Sequence, residues 1–472
     1  MFRDRFLIAS LGLLLAYGVT QILWGEAIES TGGLGFYDGR RYGEIAMDFH
    51  GQVFREGLDA YRLQRVLPSA VVHVWLRATG QPLDATHVRD AFHIYNLLML
   101  LVTAAAWAAI ARAMAFEERY AWLGFALLFL NFANLKMPFY NAVLTDTTAL
   151  ALGTLLVLFY LRSNGPALLA VLALSALTWP PLMAGALLYV LPRHDAPAPI
   201  RLITRASALL GALAAVTCAG VVAAYPDILT QRPRPSLTIA VLAAYYFVTQ
   251  ASLLHLDWRA LPSRLRPWRL LHVLALLVAV RIAVAVLSPA AAGFTIGRYL
   301  REIVFYTTLQ PALFLVAHVV YFGLVVAILI AAWPEASRAA VGLGTGMTLY
   351  TALQLGQAID PETRHLIPAL PALVLLGVMA ARALSWPAWA VGVTAALGAL
   401  GSKIWWPINQ GEMGDYLEPP LQYYYMNHGG AMSPFSYRLQ GAIVAVLVVA
   451  AAAFARSRRV HRPTEPAATT RA

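Results

Sequence analysis

Asp38 stands in the run Phe36-Tyr37-Asp38-Gly39-Arg40-Arg41-Tyr42-Gly43-Glu44-Ile45-Ala46, between a first apolar segment ending near Trp24 and a second starting near His93. A carboxylate held just outside a membrane, at the start of an amphipathic helix, is where an enzyme acting on a lipid-linked substrate would keep its base. Asp38 before Gly-Arg-Arg is also a sound helix N-cap, and the residues leave both roles open. Cations gather on the same side of the chain: Arg40, Arg41, Arg55, Arg62, Arg65, Arg77 and Arg89 in the first loop, and Lys136, Arg364 and Lys403 beyond it. The chain has only two lysines, and both fall on this side.

The elements that must position these residues are set by composition. With 60% hydrophobic residues, 12% charged and a mean hydropathy of +0.63, the chain cannot be packed inside one soluble globule. Runs of roughly 18–22 apolar residues, each able to cross about 30 Å of hydrocarbon as a helix, recur from the first ten residues to residue 455. The period-2 alternation of a membrane β-barrel is absent. The pattern predicts an all-α polytopic membrane protein of about 13–14 transmembrane helices. Expected spans cover 6–24, 93–114, 120–134, 146–161, 166–178, 179–192, 204–224, 237–255, 270–288, 312–332, 338–356, 365–382, 386–404 and 437–455. The stretch 166–192 is interrupted by Thr178-Trp179-Pro180-Pro181 and reads as two short helices.

Short cytoplasmic loops carry excess Lys and Arg, which orients the chain. With Arg3 and Arg5 inside, the inner connections hold Arg112 to Arg119, Arg162, Arg193 to Arg205, Arg259 to Arg269, Arg338, Arg382 and the tail from Arg456. Both termini then face the cytoplasm. Residues 1–455 form one transmembrane domain, with an external loop at 25–92, an aromatic external loop at 405–436 and a disordered cytoplasmic tail at 456–472. The first apolar run lacks a small-residue cleavage pattern and reads as an uncleaved anchor. Arg- and Ala-rich composition with two lysines fits a GC-rich bacterial genome, and so an inner (plasma) membrane. The net charge of +11 is divided among short loops; anionic lipid headgroups account for it better than nucleic acid, which is not expected as a partner.

The 25–92 loop holds seven arginines and nine acids and still has helical spacing of its apolar residues. Tyr42, Ile45, Ala46, Phe49 and Val53 fall on one face, opposite most of the charges, as in a helix lying in the interface plane. A second amphipathic helix is expected from Ala60 to Arg77. Together they would hold Asp38 near the headgroup level.

The short N-terminal anchor, the long first loop with Tyr37-Asp38-Gly39, the Ile45-Ala46 helix and Arg65-Val66-Leu67-Pro68 resemble the GT-C superfamily of integral-membrane glycosyltransferases. The PIG-V-like mannosyltransferases are the nearest likeness within it. Leu144-Thr145-Asp146-Thr147, Leu177-Thr178-Trp179-Pro180 and Arg364-His365-Leu366-Ile367-Pro368-Ala369-Leu370-Pro371 follow in the order of that pattern. The chain departs from it in having Gly after Asp38, where paired acids are common. The resemblance implies a GT-C type bundle. It also implies transfer of a sugar from a polyprenyl-phosphate donor to a lipid, glycan or protein acceptor at the external face, with inversion.

Inverting transfer needs a carboxylate to take the acceptor proton and cations to stabilise the departing lipid phosphate. Asp38 suits the first role. Arg364, His365, Lys136, Lys403 and Arg65 are candidates for the second, Arg364 first among them; Arg364 also reads as a snorkelling residue. Tyr37, Arg41, Tyr42 and Asp146 are candidate substrate contacts, and Asp146 reads equally as a helix cap. Trp405, Trp406 and Tyr423 belong to an aromatic loop that either covers a sugar or forms an interfacial belt. Histidines lack metal spacing and no Gly-rich phosphate loop is present, so no metal site, cofactor or nucleotide-sugar donor is expected; a divalent ion bridging Asp38 and the donor phosphate stays open. The rival readings are a transporter or lipid flippase and a surface-polysaccharide polymerase or ligase.

Overall fold

In hydrocarbon a backbone must satisfy its own N–H and C=O groups, and a helix does so within one segment. The computed structural model describes residues 2–35, 37–193, 205–224, 235–254, 261–288, 310–360, 362–405 and 432–460, and every regular element among them is helical. The chain opens with α1 (Phe2–Trp24) and builds α2 (Asp38–Met47) and α3 (Leu67–Ala78) in the first loop. It continues with α4 (Ala85–Ala113), α5 (Glu118–Phe129), α6 (Asp146–Leu161), α7 (Gly165–Ala176), α8 (Arg205–Ala224), α9 (Pro235–Leu253) and α10 (Pro267–Leu287). The last third holds α11 (Leu313–Phe322), α12 (Leu324–Ala331), α13 (Trp333–Gly342), α14 (Thr345–Gln357), α15 (Leu370–Ala383), α16 (Ala388–Gly401) and α17 (Pro434–Val460).

By length and composition five helices suffice to cross a bilayer, and seven if each of two bent pairs counts as one span. These make the protein an all-α polytopic membrane protein. The bends were not expected from the sequence. The run expected to be straight over 120–134 breaks at Leu130–Asn131, where the chain turns by 74°. Asn131 causes this by capping the next turn, its Oδ1 accepting Asn134 N–H at 3.0 Å. The run expected over 312–332 ends α11 at Gly323, whose φ of 71° only a glycine adopts freely, and α12 meets α13 at 91°. Pro334 at the start of α13 cannot continue the preceding helix. The expected 338–356 span divides at Gly344 (φ 109°) between α13 and α14. At the other extreme α4 starts eight residues before the expected 93, because Asp84 caps it by accepting His87 N–H at 3.0 Å.

The centre is α6. It is apolar on all sides, and all of its residues except Leu155 and Phe159 are buried, as a helix without a polar face requires. It packs against α4, α7 and α15. At Gly153 the approach is closest: a Cβ there would lie 2.5 Å from the Pro368 carbonyl oxygen, so the glycine lets the turn before α15 sit directly on α6.

The first loop folds down onto this frame. Tyr42, Ile45 and Ala46 of α2 are buried, as their spacing predicts. Ser69 donates to the Tyr42 carbonyl at 2.9 Å and His73 Nδ1 lies 2.8 Å from the Ala46 carbonyl, which ties α3 to α2. The helix expected over Ala60 to Arg77 is two pieces, Ala60–Leu63 and α3, because Pro68 in the first turn of α3 ends any helix arriving from Tyr61. Arg65 lies in that break, and Leu67 N–H bonds the Leu177 carbonyl across it at 2.9 Å.

The loops expected on the cytoplasmic side meet at the opposite end of the helices. Arg382 donates to the Met114 carbonyl at 3.2 Å, and Arg458 to the Leu384 and Ser385 carbonyls. Arg459 closes on the buried carboxylate of Glu335 at 2.6 Å, with Arg338 at 3.2 Å on its other side. These arginines neutralise the carbonyl ends of helices, where cations are favoured. From Asp146 to Leu161, α6 rises about 24 Å, which separates the two ends.

Candidate active site

Asp38 is the first residue of α2, and its Oδ2 accepts from Arg364 Nη2 at 2.7 Å and from the Tyr61 hydroxyl at 2.9 Å. It takes no backbone N–H of its own helix, so the carboxylate works across the fold and not as a cap. Arg364 is carried on the 3-10 turn Thr363–Ala369, which leads into α15. Pro368 prevents that turn from being α-helical, since its ring excludes the i−4 carbonyl. The Arg364 Nε donates to Glu362 Oε1 at 2.5 Å. Next to it, His365 Nδ1 lies 2.6 Å from Asp360 Oδ2, and its Nε2 lies 3.5 Å from Glu362 Oε2.

Arg65 faces this group from the first loop. It is 3% exposed, and its guanidinium lies between two rings, 3.7 Å from the Tyr61 centroid and 4.2 Å from that of Trp179. Both flat faces are covered, while Nε and Nη1 on the edge have no hydrogen-bond partner. Trp179 sits in the break between α7 and the Pro180–Gly185 turn, also near Arg364 and His365. Tyr42 is buried beside the same cations. Burial pushes its hydroxyl up to about 12, against the lowering effect of the Arg65 and Arg364 charges, so it stays protonated at neutral pH.

Asp146 opens α6 and is 6% exposed. Neither carboxylate oxygen has a partner, so it does not cap α6; the opposite charges acting on it are those of Arg364, Arg65 and His365. The neighbouring Thr145 hydroxyl is equally unmatched. Asn141, buried with both side-chain polar atoms unmatched, lies against the start of α2, its Oδ1 3.1 Å from where a Cβ on Gly39 would stand.

Six residues singled out from the sequence therefore converge: Asp38, Tyr42, Arg65, Asp146, Arg364 and His365. Others do not join them. Tyr37 is 71% exposed and Arg41 lies on the outer face of α2, paired with Glu44 at 2.8 Å. Arg40 pairs with the same Glu44; burial alone would raise that carboxyl, but the two arginine hydrogen bonds outweigh it and hold it low. Lys136 is buried and bonded to Glu26 at 2.6 Å. Lys403 follows the end of α16, whose Gly398 abuts the Leu130 carbonyl. Trp405 is exposed, donating to the Leu400 carbonyl, while Trp406 and Tyr423 lie outside the described residues.

Tyr61, Trp179, Asn141, Asp360 and Glu362 were not singled out as site residues. For Tyr61 a signal existed: it stands four residues before Arg65, the spacing at which a ring and a cation meet. Asp360 and Glu362 precede an apolar run, where an arginine at a membrane boundary calls for a carboxylate. Nothing in the sequence distinguishes Asn141. Among the described residues no group of three or more His, Cys, Asp or Glu is arranged to hold a metal ion.

Comparison of the chain with protein-family models, with curated proteins and with solved structures gives no match.

Proposed function

We propose that the protein is an inverting membrane glycosyltransferase of the GT-C type, PIG-V-like in sequence pattern, with bent pairs and short helices counted among about 13–14 crossings. It takes a sugar from a polyprenyl-phosphate donor at the external face and passes it to a lipid, glycan or protein acceptor. The observation that carries this reading is the juxtaposition of Asp38 with two arginines, Arg364 on its carboxylate and Arg65 with unmatched N–H groups. A base next to phosphate-binding cations is what group transfer from a lipid phosphate requires.

In this reading the acceptor hydroxyl attacks the anomeric carbon, the bond from that carbon to the phosphate oxygen breaks, and the hydroxyl proton passes to Asp38. Arg65 meets the phosphate as its charge grows, with the fork that suits a phosphate and with rings on both faces to keep it rigid. Arg364 bridges Asp38 and Glu362, so the phosphate competes with Asp38 for it and frees the carboxylate as the donor arrives. Arg65 thus replaces Arg364 as the first phosphate ligand.

The test is transfer by wild type and Asp38→Asn in detergent from a panel of radiolabelled polyprenyl-phosphate sugars, with thermal unfolding as the check on folding. Turnover by the variant should fall by at least about 100-fold with folding unchanged. Equal turnover by both would move the base elsewhere. Absence of transfer by wild type from every donor, with substrate-driven flux in liposomes, would make the protein a transporter.

A further inference from the structure

Arginines crowd the end of α6 that lies away from Asp38. Arg162 ends that helix, Arg193 follows the short helix Ala186–Val190, and Arg264, Arg266 and Arg269 lead into α10. Among the described residues no Asp or Glu occurs between Asp146 and Glu335, and no carboxylate lies within ion-pair distance of Arg162, Arg264, Arg266 or Arg269.

Their contacts put them in one neighbourhood, around the segment that ends at Arg193. Arg269 Nη1 donates to the Tyr189 carbonyl at 2.9 Å, the Arg266 N–H to the Val190 carbonyl at 3.3 Å, and Arg193 Nη1 to the Leu161 carbonyl at 3.4 Å. Arg264 Nη1 reaches the Thr345 hydroxyl at 2.8 Å, and the next residue, Gly346, abuts the Leu191 carbonyl. Gly165, three residues after Arg162, makes room for Arg269, whose Nη2 lies 3.0 Å from where a Cβ would stand. These carbonyls use only part of the donor capacity. Arg269 Nε has no partner, and the exposed side chains of Arg162 and Arg266 make no hydrogen bond among the described residues. Like charges gathered without a counter-charge repel, and an anion among them removes the repulsion.

The anion that fits is one attached to hydrocarbon. Trp268, between Arg266 and Arg269 in sequence, is 52% exposed, with its ring centroid 5.0 Å from the Arg269 guanidinium and 5.4 Å from that of His272. An exposed tryptophan beside cations suits the depth where headgroups meet acyl chains. Within the next turns of α10, Leu271, Leu274 and Val278 are exposed at i, i+3 and i+7, an apolar stripe that begins next to the arginines. A phospholipid covers both the charges and the stripe; a free phosphate covers only the charges.

We propose that this end of α10 binds one anionic phospholipid, its phosphate among Arg162, Arg266 and Arg269 and an acyl chain along Leu271, Leu274 and Val278. The basic loops predict the cytoplasmic leaflet for this end, and that leaflet holds the negatively charged lipids. The site and Asp38 lie at opposite ends of α6, so the proposal stands whether or not the glycosyltransferase reading does.

The experiment is equilibrium binding of radiolabelled phosphatidylglycerol and of phosphatidylcholine with the same acyl chains to the full chain in detergent. Wild type should hold one phosphatidylglycerol about tenfold or more tighter than phosphatidylcholine, and millimolar inorganic phosphate should not displace it. Arg266→Gln and Arg162→Gln should each weaken phosphatidylglycerol binding about fivefold, as expected for one cation removed from a headgroup, with phosphatidylcholine unaffected. Arg456→Gln removes the same charge from an exposed position on α17 and should change the affinity less than about twofold, because salt screens a distant charge. Equal affinity for the two lipids overturns the proposal, as does displacement by phosphate, which would make this a free-anion site. A loss in Arg456→Gln as large as in Arg266→Gln overturns it too, since the attraction would then be a diffuse surface field. Melting temperatures check that the variants fold. Should Arg162→Gln fail to fold, Arg266→Gln and the wild-type lipid and phosphate series decide.

Discussion

Arg65 carries the site's electrostatics in an unusual form: a guanidinium covered on both faces by Tyr61 and Trp179 cannot swing away, so its N–H edge is aimed before any ligand arrives. Preorganised charge of this kind costs nothing to orient at the moment of reaction. Lysine at this position keeps the charge but loses the planar stacking and the fork. Arg65→Lys should weaken binding of bare polyprenyl phosphate about tenfold, from the loss of ~1–2 kcal/mol of stacking and bidentate contact, with little change in melting temperature. Titration of detergent-purified variants checks it; unchanged affinity would remove Arg65 from the phosphate site.

Among the elements, the seat of α6 under the Thr363–Ala369 turn decides where Arg364 stands. Gly153→Ala would drive a Cβ to 2.5 Å from the Pro368 carbonyl, a backbone atom with no rotamer to yield. The two segments must separate, at ~1–3 kcal/mol as for other overpacked cores, and Arg364 moves with its turn. A melting temperature lower by a few degrees together with reduced transfer is expected; a loss of stability at full activity would show that the turn can shift without carrying Arg364. Elements were legible in the sequence where one local rule dominated. The break at Trp179-Pro180-Pro181 and the buried face of α2 follow from proline and periodicity. The bend at Leu130–Asn131 and the early start of α4 depend on single capping side chains, and the α12–α13 bend on one proline, each resembling many others in the chain. The site divides the same way. Asp38 and Arg364 could be named from residue type and position, but their pairing spans 326 residues and no local pattern encodes it. Lys136 shows the converse: its type suited a phosphate, and a carboxylate 110 residues away already holds it.

Over the whole molecule the charges divide by end. At one end Arg382, Arg458 and Arg459 bind helix-terminal carbonyls and Glu335; at the other stand Asp38, Arg65, Asp146 and Arg364. The positive-inside rule predicts the cytoplasm for the first end, because its loops are short and basic. It gives less guidance for the second, where arginines and acids are nearly balanced. The arrangement therefore makes one orientation testable with two positions that the fold leaves exposed. In a Cys218→Ser background, Arg41→Cys on the outer face of α2 should react with a membrane-impermeant maleimide on intact cells. Arg456→Cys near the end of α17 should react only after permeabilisation. The reverse pattern would turn the site toward the cytoplasm, where nucleotide sugars are present and a lipid-phosphate donor has no energetic rationale. Orientation and donor chemistry thus stand or fall together, and the labelling experiment tests both without requiring a substrate.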